Sequence, residues 1–412
     1  MTSEQSFVWA WLPGSPEPIV CGRVWVDGDQ HLFQYGRSYL GNRRAIPLFG
    51  MPLDDRPLAP APDIRLHGAL QDALPDAWGQ QVIATRSGLQ EPSAIQLMRL
   101  SSTDRFGAID FQDSPDAWLP RQTAAMLEDL AHAAEAVEKG TPLSPALDAA
   151  LQHGTSIGGA RPKATLIDAQ GRDWIAKFSS TSDGARPVVR REAFALELAA
   201  RGGVDVVGFQ LSEAAGRDAL LVKRFDREHG GARRMAVSAL TVLGVSEYAA
   251  RYSSYPELLD RLRDLSEHPD GVGPTLFRRI AANIALGNTD DHAHNHAAFW
   301  DGSYLTLTPA YDIDPCRTPG WDANQAMAYG RRGERASNLQ QLIQQASVYD
   351  LSKSEARDVV DQVVGAVSEH WESARDAARL SRHQAEQMRG TQILNEGALD
   401  GLPATTLVEK LS

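Results

Sequence analysis

The first 50 residues alternate apolar and polar positions, and turn-forming pairs interrupt this pattern at short intervals. Pro13-Gly14 and Asp27-Gly28 are two such pairs, and the runs between them are rich in aromatic and β-branched side chains, which favour strands. Short strands are therefore expected at Phe7–Trp11, Val20–Val26 and His31–Tyr35. The apolar spacing then becomes helical, and helices are predicted over about His67–Arg86, Ser93–Leu100 and Arg121–Lys139.

A second strand-rich stretch begins after residue 154. Ala164–Ile167 and Trp174–Phe178 flank the turn sequence Asp168-Ala-Gln-Gly171, so they are expected to form a hairpin. A helix at Arg190–Arg201, closed by two glycines, precedes two further strands, Val206–Ser212 and Ala219–Phe225. Helices dominate the rest of the chain, over Tyr255–Leu265, Pro274–Leu286 and the long stretch Ser352–Met388. The pattern predicts an α+β protein with a β-rich first half and a mainly helical second half.

The composition is that of an ordinary globular protein, with 42% hydrophobic and 23% charged residues in a chain of 412. This length suggests two or three domains. The formal net charge of −12 excludes a general basic surface for wrapping nucleic acid or anionic membrane. Two isolated cysteines, Cys21 and Cys316, exclude a disulfide scaffold and a cysteine-based zinc site. With no signal-peptide pattern and no apolar run of about 18 residues, a cytoplasmic protein without a membrane span is expected.

A glycine-rich segment, His153–Lys163, directly precedes the predicted hairpin. Its glycines allow backbone N–H groups to turn toward an anion, and Arg161 and Lys163 add positive charge. The segment is not a Walker A loop, because Ala160 stands where that motif requires lysine. Considered alone, such a segment is more typical of a simple turn than of a phosphate site.

The densest polar cluster of the chain is Gly287–His296, between an apolar helix and the apolar pair Phe299-Trp300. One chemistry it suggests is a metal hydrolase site, in which His292, His294 and His296 bind the metal with Asp290 or Asp312. That site requires the alternating histidines to converge, which a loop does not ensure.

The second chemistry is phosphoryl transfer. Asp290 and Asn295 have the D-x-x-x-x-N spacing of a kinase catalytic loop, in which the aspartate orients the hydroxyl nucleophile and the asparagine holds magnesium. Asp312 follows a predicted strand and would be the second magnesium ligand. The spacing alone is weak, but Lys177 lies upstream in an apolar strand and Glu192 on the following helix, in the order that kinases use.

Taken together, these segments resemble the HipA family, the serine/threonine kinase toxins of bacterial type II toxin–antitoxin modules. The early strands and Leu70–Trp78 are similar to the N-terminal region of that family. The motifs that carry the resemblance are Ser156–Lys163, Trp174–Lys177, Arg191–Leu198, Leu221–Asp226, Asn288–Asn295 and Leu307–Asp312. The resemblance implies a two-lobed, protein-kinase-like fold in three segments: a β-rich N-terminal subdomain (1–110), a kinase N-lobe with the glycine-rich loop and hinge (111–235), and a helical C-lobe with the catalytic loop (236–412).

The resemblance also implies roles for individual residues. Asp290 would be the catalytic base, Asn295 and Asp312 the Mg²⁺ ligands, and Glu192 the ion-pair partner of Lys177. Lys177 would contact the α- and β-phosphates, the backbone from Lys223 to Phe225 would contact adenine, and Asp226 would reach the ribose. The residues implied to bind ATP are Ser156, Ile157, Gly158, Gly159, Lys163, Lys177, Lys223, Phe225, Asp226, His292, Asn295 and Asp312.

Regulation and partners are implied by the same resemblance. Ser156 matches the family's autophosphorylated serine, although the neighbouring Thr155 leaves open which hydroxyl is modified. Asp291 directly follows Asp290, and the spacing to Asn295 favours Asp290 as the catalytic acid. The protein substrate would be an aminoacyl-tRNA synthetase, the glutamyl enzyme by analogy. A small helix-turn-helix antitoxin of the HipB type would bind the chain and make most of the contact with operator DNA. The alternatives are a related kinase with another protein or small-molecule substrate, and a catalytically silent co-repressor.

Overall fold

The structure is a computed structural model, and it describes residues 4–121, 127–139, 162–179, 183, 187–317 and 323–403. Most of the glycine-rich segment, including Ser156, Ile157, Gly158 and Gly159, lies outside these residues. The roles predicted for those four residues therefore stay predictions.

The described strands are short and mostly antiparallel. They are β1 (Gln5–Trp11), β2 (Pro18–Asp27), β3 (Gln30–Tyr35), β4 (Ile109–Gln112), β5 (Lys163–Ile167), β6 (Asp173–Phe178), β7 (Phe209–Ala214), β8 (Arg217–Lys223), β9 (Ala236–Ser238), β10 (Ala297–Trp300) and β11 (Leu305–Leu307).

The two longest described helices lie in the second half of the chain. They are α1 (Arg37–Leu40), α2 (Gly68–Gln71), α3 (Ala77–Ser87), α4 (Ala94–Leu100), α5 (Leu127–Lys139), α6 (Val188–Arg201), α7 (Ala239–Leu243), α8 (Tyr255–Asp264), α9 (Val272–Leu286), α10 (Leu339–Gln344), α11 (Lys353–Glu369), α12 (Trp371–Ala377), α13 (Arg382–Met388) and α14 (Glu396–Leu399). Within the described ranges, no helix is both long and apolar enough to cross a lipid bilayer.

The chain divides into two compact units. The first contains residues 1–184, 208–246 and 298–304, and the second contains 185–207, 247–297 and 305–412. This division follows contacts in space, whereas the three segments predicted from the sequence follow the order of the chain, and those segment boundaries stay a prediction.

The first unit contains two four-stranded antiparallel sheets. One has the strand order β3-β2-β1-β4, and the other has the order β5-β6-β8-β7. In β6 every second side chain is buried, and Trp174, Ala176 and Phe178 face a core that the apolar faces of α3 and α5 also line. This burial explains the alternation in the sequence and fixes which face of β6 the lysine at position 177 occupies.

The second unit is helical around α9. This helix is buried on almost every side, including Phe277, Ile280 and Ile284, which is the pattern of a central helix. Its neighbours begin at capping boxes, such as Ser254 with Glu257 at α8 and Ser352 with Glu355 at α11. The buried helix α9 thus positions the loop that begins at Gly287.

The predicted fold class is confirmed, and most of the predicted elements are present with shifted ends. The helix predicted over 67–86 is two helices, because Asp76 caps α3 after Pro75 and separates it from α2. The stretch 352–388 is three helices, and Arg379 (φ +54°) lies in the left-handed region between the second and third. The strand predicted at 206–212 begins only at residue 209, because Val206 and Val207 pair with Ala310 within the second unit.

Candidate active site

The polar cluster begins where α9 ends at Gly287. This residue has φ +69°, and a Cβ there would lie 2.3 Å from the backbone oxygen of Gln392, so only glycine fits without displacing the backbone. The Asn288 N–H then donates to the Asn283 carbonyl at 2.9 Å, and the Asn288 side-chain amide donates to the Asn283 side-chain oxygen at 3.0 Å. The helix end therefore fixes the direction in which residues 289–296 leave the core.

The two neighbouring acids in this loop have opposite environments. Asp290 is exposed, and its carboxylate makes no hydrogen bond or ion pair to any residue that the structure describes. Asp291 is buried and accepts hydrogen bonds from Tyr255, from Asn283 at 2.6 Å and from His296 at 2.9 Å. Asp291 therefore holds the loop to the core, and Asp290 is the acid available to a reactant.

Asn295 ends a short 3₁₀ turn, Ala293–Asn295, that folds it back toward Asp290. Its backbone N–H donates to the His292 carbonyl at 2.8 Å, and its side-chain Nδ2 donates to the backbone oxygen of Asp290 at 3.2 Å. The residue is only 8% exposed. With the amide nitrogen engaged in this way, the amide oxygen is the atom left for a cation.

Asp312 follows β11 and belongs to a loop that contacts the turn at residues 293–295. The Tyr311 hydroxyl donates to the His294 carbonyl at 2.9 Å, and the Thr308 N–H donates to the Ala297 carbonyl at 3.0 Å. Asp312 is half-buried and has φ +58°. A non-glycine residue in this region costs about 1–3 kcal/mol and persists where the surroundings impose it, most often at functional sites.

The histidines of the cluster do not converge on one point. His294 Nε2 lies 3.3 Å from a carboxylate oxygen of Glu247, where the hydrogen bond lowers the pKa of Glu247, and His296 Nε2 bonds to Asp291 instead. Nδ1 of His292 is buried and has no hydrogen-bond partner in the described part of the chain. Within that part, no group of three metal-ligating side chains exists, so the structure gives the hydrolase alternative no three-ligand site.

Magnesium makes smaller demands on the protein. It takes oxygen ligands, keeps several waters and is bound through one or two side chains together with substrate phosphates. The side-chain oxygens of Asn295 and Asp312, on two loops that Tyr311 joins, fit this requirement. The predicted Mg²⁺ ligands are therefore compatible with the donor set of the second unit.

In the first unit, the β5–β6 hairpin places two lysines side by side. Lys163 lies directly opposite Lys177, so both side chains are on the same face of the sheet. Two positive charges are thereby placed on one face of the hairpin. This arrangement suits the phosphate-binding roles predicted for both residues.

The buried Lys163 has an anionic partner that the sequence did not indicate. Its Nζ lies 3.4 Å from Oδ2 of Asp76, whose Oδ1 accepts a hydrogen bond from the Gly79 N–H at the start of α3. The adjacent Trp78 donates its indole N–H to the Lys163 carbonyl at 3.1 Å. Burial raises the pKa of Asp76 to about 6, and Lys163 opposes this rise without cancelling it.

We expect the raised pKa of Asp76 to appear in the pH dependence of stability. The unfolded carboxyl titrates near 3.9, so folding favours its protonated form, and the stability from this group is present below about pH 4 and is lost as the pH rises through 6. Asp76→Asn keeps an N-cap residue and removes the titration. Urea unfolding should show wild type losing up to about 3 kcal/mol relative to Asp76→Asn between pH 4 and 7. A constant difference over that range would contradict the prediction.

The predicted adenine segment lies at the end of β8. The N–H of Lys223 donates to the Gly208 carbonyl at 2.7 Å, and that of Arg224 donates to the Asp173 carbonyl at 2.9 Å. The ring of Phe225 packs edge-on against Phe299. These two N–H groups already donate hydrogen bonds within the protein. Adenine recognition by this segment stays a prediction, and it would require the other backbone groups of the segment.

Asp226, predicted to reach the ribose, is buried in an ion-pair network. Its carboxylate accepts hydrogen bonds from the Gly107 N–H at 2.7 Å, from Arg224 at 2.7 and 2.9 Å and from Arg227 at 3.0 Å. Asp104 joins the same two arginines at 2.9 and 2.6 Å. The network gives Asp226 a structural function, and the ribose contact stays a prediction.

Glu192 lies buried on α6 in the second unit, whereas Lys177 belongs to the first unit, and their pairing stays a prediction. The preceding residue, Arg191, forms two 2.7 Å bonds to the carboxylate of Asp314, two positions beyond Asp312. No local pattern in the sequence predicts this pair, since its members are 123 positions apart.

Comparison with known proteins agrees with this assembly of motifs. Residues 17–112 match the HipA N-terminal domain, and residues 155–371 match the HipA-like C-terminal domain. A protein of Sinorhizobium fredii named "Putative kinase Y4mE" is 25% identical over 410 residues, which cover 89% of this chain and 96% of that protein. The structure of HipA from Shewanella oneidensis, solved with HipB and operator DNA, superposes with a TM-score of 0.68 at 18% identity and covers 95% of this chain and 99% of that one.

The structural match shows that the fold is that of HipA. The C-terminal domain match alone spans more than half of the 412 residues, and the N-terminal match adds the strand-rich start. This protein therefore belongs to the HipA family.

Proposed function

We propose that this chain is an ATP- and Mg²⁺-dependent serine/threonine protein kinase and the toxin of a type II toxin–antitoxin module. The observation that carries the proposal is the difference in environment between the two acids of the loop. Asp291 is buried and hydrogen-bonded to core side chains, while Asp290 is exposed beside Asn295 and the Asp312 loop. That is the arrangement a kinase catalytic loop requires.

In the proposed reaction, Asp290 accepts a hydrogen bond from the substrate hydroxyl and orients it toward the γ-phosphorus of ATP. The hydroxyl oxygen bonds to phosphorus, the bond to the β–γ bridging oxygen breaks, ADP leaves, and the hydroxyl proton passes to the Asp290 carboxylate. Lys163 and Lys177 would neutralise phosphate charge, and Asn295 and Asp312 would hold Mg²⁺, which stabilises the charge on the phosphate oxygens when bound. His292 would be a further contact to the nucleotide.

The proposed regulation involves the glycine-rich segment. Phosphorylation of Ser156 would add about −1.5 to −2 charge at pH 7 to a segment whose function is to hold other phosphates. The modified chain would therefore bind ATP poorly and become inactive. Thr155 is the competing acceptor, and mapping of the phosphopeptide distinguishes the two.

The proposed partners follow from the family. The Shewanella oneidensis HipA was solved with HipB and operator DNA, and we propose a HipB-like helix-turn-helix antitoxin for this chain. The net charge of −12 suits a protein that contacts DNA mainly through such a partner. The proposed substrate is an aminoacyl-tRNA synthetase, the glutamyl enzyme by analogy, and the proposed location is the cytoplasm.

The first test is the intact mass of the purified chain before and after incubation with ATP and Mg²⁺. We expect wild type to gain one phosphate and Asp312→Ala to gain none, because the variant loses a magnesium ligand. Asp358→Asn, which removes an exposed carboxylate on α11, is the matched control and should behave as wild type.

The alternatives are distinguished by adding a substrate to this incubation and by measuring the binding of ATP, antitoxin and operator. Phosphorylation of an added protein or small molecule without self-modification indicates a related kinase with another substrate. Wild type that binds antitoxin and operator but neither binds nor consumes ATP would be a silent co-repressor, and this result would refute the kinase proposal.

A further inference from the structure

Helix α6 is joined to the Asp312 loop by a two-point ion pair. Nε and Nη2 of Arg191 each lie 2.7 Å from an oxygen of Asp314. The side chains are 13% and 25% exposed, so the pair is largely shielded from water. Parallel charge-assisted bonds of this kind fix direction as well as distance, which a lysine at the same position would not do.

The pair is one of two anchors on either side of Asp312. On one side, the Tyr311 hydroxyl holds the backbone at His294, and on the other side, Arg191 holds Asp314. Asp312 itself has φ +58°. A non-glycine backbone in the left-handed region persists only where its surroundings impose it. The two anchors are contacts of the residues that flank Asp312, and they restrain its backbone.

Charge supports the same interpretation. Asp290, Asp312 and Asp314 lie on two loops that Tyr311 joins, and ATP would bring further negative charge to the same place. Arg191 neutralises the charge of Asp314. Removing the guanidinium would therefore both release the loop and leave an additional uncompensated negative charge near the bound phosphates.

We infer that Arg191 is a positioning residue for phosphoryl transfer, acting through Asp314 to hold Asp312 in its magnesium-binding position. This inference rests on the proposed kinase function. Because Arg191 and Glu192 are consecutive residues of α6, the helix that presents Glu192 is also the helix that restrains Asp312. A displacement of α6 would then disturb both.

The experiment measures magnesium-dependent binding of a non-hydrolysable ATP analogue, AMP-PNP, by calorimetry, so that it does not depend on turnover. We expect Arg191→Gln, Arg191→Lys and Asp314→Asn each to raise the Mg²⁺ concentration for half-maximal binding by about 10-fold, the effect typical of losing a residue that orients a metal ligand. The reversed pair Arg191→Asp/Asp314→Arg should recover to within about 3-fold of wild type. The melting temperature of each variant is recorded in parallel.

The matched control is Arg201→Gln, which removes a solvent-facing Arg–Glu197 pair from the other end of the same helix and should bind as wild type does. A lowered melting temperature with unchanged magnesium dependence in the variants would show a merely structural pair and overturn the inference. Unchanged values for Asp314→Asn would overturn it even if the Arg191 variants failed to fold. Wild type without any magnesium-dependent binding would instead refute the kinase proposal and the inference together.

Discussion

Asp290→Asn is expected to lower the rate of phosphoryl transfer by about 10³-fold while leaving the fold intact. General-base catalysis contributes about 10²–10⁴-fold, and the asparagine amide cannot accept the proton of the hydroxyl. The carboxylate is exposed and has no partner among the described residues, so the free energy of unfolding should change by less than about 0.5 kcal/mol. Transfer of labelled phosphate from ATP, together with urea unfolding, measures both quantities.

The neighbouring residue provides the control, because Asp291→Ala should have a large effect on the free energy of unfolding and a small effect on the rate of phosphoryl transfer. It would leave Tyr255, Asn283 and His296 without their common buried acceptor, at an expected cost of about 3 kcal/mol or more. Full activity in Asp290→Asn, or loss of activity in Asp291→Ala without loss of stability, would show that the roles of the two acids have been assigned the wrong way round.

This contrast shows what the sequence can predict at the site. The D-x-x-x-x-N spacing pointed to Asp290, but spacing gives no information on burial. Two adjacent aspartates in a loop also cannot be distinguished by residue type. The decisive feature is the core around α9, which supplies Tyr255 and Asn283 to one acid only. Spacing thus proposes a catalytic residue, and tertiary packing decides which neighbour is free to act.

Local periodicity succeeded where burial alternates along one element. The antiparallel pairing of β5 and β6 confirms the predicted hairpin. Its second strand alternates in sequence because Trp174, Ala176 and Phe178 face one core. Helix ends were less accurate: the interruption at Asp76 depends on its hydrogen bond to Gly79, which competes with a continued helix. Apolar spacing detects the faces of elements but not the polar groups that end them.

Long-range polar pairs were beyond any local pattern. Lys163 with Asp76, and Arg191 with Asp314, join segments that are adjacent only after folding. Each member has an ordinary surface interpretation in sequence, since charged residues are mostly exposed. These ion pairs form only when the strand that carries Lys163 and the helix that carries Arg191 have packed against the rest of the chain.

Asp226 belongs to the same class of buried charge, and its network joins two distant parts of the first unit. Asp104 and Gly107 come from the N-terminal region, and Arg224 and Arg227 follow β8 directly. Burial alone would raise the pKa of Asp226, but Arg224 and Arg227 outweigh it, so the pKa is lowered. The carboxylate is therefore charged at neutral pH, and both arginines depend on it.

Asp226→Asn is accordingly expected to lower the free energy of unfolding by about 3–5 kcal/mol at pH 7, the usual cost of removing one partner from a buried ion pair. Because the folded pKa lies below the unfolded value of about 3.9, the stabilisation is present above that value and is lost as the pH falls through the folded pKa. The difference between wild type and variant in urea unfolding should therefore be constant from pH 8 to 5 and shrink below about pH 4. Asp29→Asn, an exposed acid of the same unit, should show no such difference. If Asp226 served ATP alone, the variant would keep wild-type stability and bind nucleotide weakly; a stability loss of the expected size instead assigns the residue to the junction between the N-terminal region and the end of β8.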